Sequence, residues 1–118
     1  MLGPLLLWQR MAVESSGWVA VRCVFRLTIE GSQVYEERVT LWHARDADTA
    51  IVRAEAEAEE YAAGIDAEYV GLAQGYVLSD AVADGAEVFS LLRTSPLDAE
   101  SYLDRYFATG AERQSQLE

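Results

Sequence analysis

Residues 18–43 read WVAVRCVFRLTIEGSQVYEERVTLWH, and their period decides the fold. Val19, Val21, Cys23, Phe25, Leu27 and Ile29 alternate with Trp18, Ala20, Arg22, Val24, Arg26, Thr28 and Glu30, the two-residue repeat of a half-buried strand over 18–30. A turn at Gly31-Ser32-Gln33 then leads into a second strand over 34–44. On it Val39 and Leu41 are assigned to the core face, with Glu36, Arg38, Thr40 and Trp42 on the other. Strand, short Gly turn and strand make an antiparallel hairpin.

From Asp46 the period becomes helical. Ala47, Ala50, Ile51, Ala54, Ala58, Tyr61 and Ala62 recur at three- and four-residue spacing, with Asp46 as N-cap and Gly64 as a stop. A stripe made mostly of Ala lets this helix lie close to a sheet. Residues 68–79 return to strand character. Gly71 and Gly75 within them weaken the strand, or mark a bulge or the close approach of another backbone. A turn over 80–86, a strand over 87–94 and a helix over 98–108 capped by Asp98 complete the order. The fold predicted is α+β, β-β-α-β-β-α, with a four-stranded, mainly antiparallel sheet and the helices packed on one face. Residues 17–110 form its single domain, residues 1–16 an N-terminal extension expected to be poorly ordered, and residues 111–118 a polar tail.

Composition narrows the partners. The 118 residues carry 20 acidic against 9 basic side chains, all nine of them Arg, for a net charge of −11. Residues 1–45 balance at +1 and residues 46–118 at −12. Such acidity argues against nucleic acid and against an anionic membrane surface, because both are gripped by Lys and Arg. The apolar patch Leu5–Trp8 is far too short to span a bilayer. The lone Cys23 has no internal partner, so a reducing cytoplasm is the expected location.

Several blocks resemble a known family: WVAVRCVFR at 18–26, YEERV at 35–39 with Leu41-Trp42, AEAE at 54–57 before Tyr61, YVGLAQ at 69–74, EVFS at 87–90 and YLDRYF at 102–107. In this order they are similar to the small bacterial family catalogued as domain of unknown function 4288, over roughly residues 17–113. The resemblance implies a cytosolic bacterial domain without an established activity. It supplies no catalytic residues.

Residue chemistry marks no catalytic set, no metal site and no cofactor. His43 is the single His, at a strand end and without a nucleophile motif; Cys23 lies on the apolar face as a small hydrophobe. Glu55, Glu57, Glu59 and Glu60 read as a solvated helix face, since the Gly-containing oxygen-rich spacing of a calcium loop is missing. Gly71, Gly75 and Gly85 form no phosphate cradle, and there is no Lys to complete one.

The candidate binding surface is Arg22, Arg26, Glu36, Arg38 and Trp42, expected to project together from the non-core face, with Gln74 and Tyr76 joining from the third strand. This favours a non-enzymatic protein-interaction or self-association module, with a homodimer as its simplest form. One alternative is an acidic, immunity-type partner that neutralises a basic protein. Another is an anion-binding protein or enzyme using Arg22, Arg26 and Arg38, with Glu36 or His43 in acid–base work.

Overall fold

The computed structural model describes residues 15–107 and 109–113. The N-terminal extension expected over 1–16 and the tail over 111–118 therefore fall mostly outside the described residues. Strands β1 (Trp18–Ile29) and β2 (Ser32–His43) form the expected hairpin, followed by helix α1 (Ala47–Gly64), strand β3 (Glu68–Val77) and helix α2 (Ala99–Tyr106). The fold is α+β. Among the described residues its antiparallel sheet has three strands in the order β2-β1-β3, with β1 central. Residues 87–94, expected as a fourth strand, run without a ladder partner.

The hairpin turn is tighter than the expected Gly31-Ser32-Gln33. Ile29 pairs with Ser32, which leaves only Glu30 and Gly31 in the loop. Both take positive φ, +50° and +80°, as a type I′ turn requires to match the strand twist. Glycine fits this corner because it has no Cβ to clash in the left-handed region. This turn fixes the register, so Val21 faces Thr40, Cys23 faces Arg38 and Phe25 faces Glu36. Directly paired residues share a face. Thr40, Arg38 and Glu36 consequently point to the helix side, and Val39 and Leu41 point away from it.

The core lies between β1 and α1. Val19, Val21, Cys23 and Phe25 are buried against Ala50, Ala54, Ala58 and Ala62. The Asp46 carboxylate accepts from the Thr49 N–H at 2.8 Å, which starts α1 and holds this acid below its usual range. At the far end Asp66 turns left-handed (φ +55°), and the Ala67 N–H donates back to the Ala62 carbonyl at 2.8 Å. The stop is thus made by Asp66, two residues beyond Gly64.

Both glycines of β3 have structural work. Gly71 (φ +89°) sits where Val70, Gly71 and Leu72 span the register opposite Val24 alone, so β3 bulges. At Gly75 a Cβ would lie 3.3 Å from both the Ala47 Cβ and the Ile51 Cδ1, because α1 crosses here. Gly75→Val forces these groups apart and is expected to cost about 1–3 kcal/mol. Urea denaturation measures the loss, and a neutral result would show that α1 can shift without penalty.

Candidate interaction surface

The register divides the seven candidate residues between two faces. Glu36, Arg38 and Trp42 lie on the α1 side; Arg22, Arg26, Gln74 and Tyr76 lie on the other. The expectation that Arg22, Arg26, Glu36, Arg38 and Trp42 project together from the non-core face is corrected by the two-residue turn, since a shift of one residue exchanges faces.

On the α1 side the three form a seam that ties β2 to the flank of the helix. Arg38 makes a two-pronged bridge to Glu57, 2.8 and 2.9 Å, and its guanidinium lies 3.7 Å from the centre of the Tyr61 ring. The bridge holds the Glu57 carboxyl below its ordinary range. The Tyr61 hydroxyl donates to Glu36 at 2.7 Å, and Trp42 donates to Thr40 Oγ1 at 2.7 Å beneath the Arg53 guanidinium. Next to this seam the Tyr69 hydroxyl donates to Glu55, and burial raises the Cys23 thiol above its usual pKa. The Glu55–Glu60 face is therefore only partly a solvated one, because Glu55 and Glu57 engage the sheet.

These phenols give the fold an alkaline limit. Burial, aided by the Glu36 carboxylate, pushes Tyr61 up to about 12, and burial with Glu87 does the same for Tyr76; Tyr69 is also raised. A folded-state pKa above the unfolded value of 10 means that the native protein retains protons the unfolded chain releases. The stability these groups contribute is complete below pH 10 and is lost as pH rises towards 12. The urea midpoint should fall across that window in step with phenolate absorbance. A flat profile would contradict the burial.

On the open face, Arg22 is held by Gln74 and by Glu37 at 3.3 Å and lies 4.9 Å from the Phe89 ring centre, while Arg26 bonds Glu68. Arg22, Arg26 and Arg38 thus each have an acidic partner and do not converge, so they present no shared anion-binding grip. Tyr76 donates to Glu87 at 2.5 Å and packs on Phe89, with ring centres 5.9 Å apart. Between β3 and the passing chain lies an open cleft of about 420 Å³, lined by Gln74, Tyr76, Phe89, Leu91 and Leu92 among others. His43 packs edge-on against Trp18, with ring centres 5.0 Å apart.

The composition-based reading missed the apolar part of this face. Along β2, Tyr35 (55% exposed), Val39 and Leu41 (40%) look away from α1 with Glu37 between them. Val39 and Leu41, expected in the core, instead face Arg22 and Ala20 of β1. At the Trp18 end this face is closed, with Ala20 and Leu78 fully buried. Among the described residues no group of acids, His and Cys is placed to hold a metal, and no helix is long and apolar enough to cross a membrane.

No protein family, curated protein or solved structure matches the chain.

Proposed function

We propose that this chain is a non-enzymatic protein-interaction module that self-associates through the open face of its sheet. The observation that carries the reading is the stripe Tyr35, Val39 and Leu41, large apolar side chains left in water on a face that α1 does not cover. Large apolar side chains gathered on one exposed face, here with Glu37 between them, are the kind of surface docking sites use. Arg22 and Arg26 border it, already oriented by Gln74, Glu37 and Glu68, so they can meet a partner with little further loss of side-chain freedom. Membership of domain of unknown function 4288 is proposed on the sequence blocks alone, and a cytoplasmic location on the unpaired Cys23.

Light scattering on the full chain at high micromolar concentration should give the mass of a dimer. The double variant Val39→Asp with Leu41→Asp should be monomeric and remain folded, because neither side chain is in the core. A strictly monomeric parent chain would overturn the proposal.

A further inference from the structure

Among the described residues, helix α2 and the β2 side of the open face are both without extended packing. The helix has eight residues, capped by Asp98 at the Ser101 N–H, and none of them is buried. Isolated helices this short do not persist in water without tertiary packing. Yet Leu103 (52% exposed) and Phe107 (51%) face solvent, together with Tyr106. Among the described residues its side-chain tie to the preceding chain is Arg93, which donates to the Tyr102 hydroxyl at 3.1 Å and lies over Tyr106 at 4.3 Å. It makes no extended contact with the sheet.

Resting on the self-association reading, we infer that the group seated on the open face is α2 of a second copy, so that two chains exchange their C-terminal helices. The exchange matches apolar helix to apolar strand in both directions, the reciprocal arrangement a two-fold axis requires. Residues 79–97 link β3 to the Asp98 cap without regular secondary structure. Fully extended, such a linker reaches roughly 60 Å, so it places no limit on the crossing. The areas agree as well. Three half-exposed side chains on α2 and three on β2, at roughly 100 Å² each, give about 600 Å² per copy and about 1,200 Å² in the dimer, the lower bound for a specific interface. Because each copy carries −11, apolar contact has to overcome mutual repulsion, and added salt should tighten the dimer.

The test mixes two forms of the full chain, one carrying Leu41→Cys and the other Leu103→Cys, both with Cys23→Ala, under mild oxidation. A disulfide joining the two different chains is expected, and Leu103→Glu in the parent background should give a folded monomer. A dimer that cross-links only 41 to 41, or that survives Leu103→Glu, overturns the exchange while leaving self-association through the sheet intact. Loss of the dimer on removing residues 1–14, with retention in Leu103→Glu, assigns the face to the N-terminal stretch and likewise overturns it. An internal disulfide in a monomeric Leu41→Cys, Leu103→Cys chain shows α2 folding back on its own sheet. A parent chain that never dimerises removes the underlying reading itself.

Discussion

Phe25→Ala should be the most damaging single truncation in the described structure, lowering stability by about 3–5 kcal/mol. Phe25 is fully buried at the centre of β1 and is the largest of the fully buried side chains among the described residues. Its ring meets Tyr61 edge-on with centres 5.1 Å apart and lies 5.6 Å from Tyr69. Those two phenols lead directly to Glu36 and Glu55, so one ring supports both the core and the polar seam between sheet and helix. The buried neighbours, Val19, Val21, Cys23 and four alanines, have little side chain to move, and the Tyr61 and Tyr69 rings are tethered by their hydroxyls to Glu36 and Glu55. A loss of this size takes a large part of the ~5–15 kcal/mol that holds a domain folded. The urea midpoint of Phe25→Ala should fall steeply, and Phe25→Leu should recover much of it. A loss below about 1 kcal/mol would mean that the Tyr61 and Tyr69 rings can collapse into the space.

Element type was legible wherever a long segment kept one period. The alternation of β1 and the alanine stripe of α1 depend on local pattern alone, and Asp46 and Asp98 cap the helices as their positions imply. Facing was not legible in β2. Its alternation, Tyr35, Glu37, Val39, Leu41 against Glu36, Arg38, Thr40, Trp42, puts large apolar and charged groups on both sides, so hydrophobicity does not choose between them. The choice is made by the Glu30-Gly31 corner, a weaker turn signal than Asn-Gly or Asp-Gly. Placing the turn at Gly31-Ser32-Gln33 sent Arg38 and Trp42 to solvent and Val39 and Leu41 to the core. Closing it at Glu30-Gly31 reverses both assignments. The 87–94 segment differs for another reason. Val88, Phe89, Leu91 and Leu92 have strand composition, but a strand exists only where a ladder partner is presented, and composition carries no information about that.

Ala54→Leu should cost about 1–3 kcal/mol by overpacking, and more than its area suggests, because it acts on the distance between α1 and β1. Ala54 is one of four small residues that let the helix backbone approach the sheet, and it is 1% exposed against Val21 and Cys23's layer of the core. Added methylenes there have no void to fill, so the helix must lift. Lifting separates Glu57 from Arg38 and the Tyr61 hydroxyl from Glu36, contacts that close only at the present spacing. The substitution should therefore lower the urea midpoint and also move the ionisation of Tyr61 back from about 12 towards its ordinary 10, as its cover and its carboxylate partner are withdrawn together. Val52→Leu, at an exposed position on the same helix, supplies the control and should change neither quantity. If Ala54→Leu lowered stability with the Tyr61 titration unmoved, the alanine stripe and the Arg38 seam would be energetically separate.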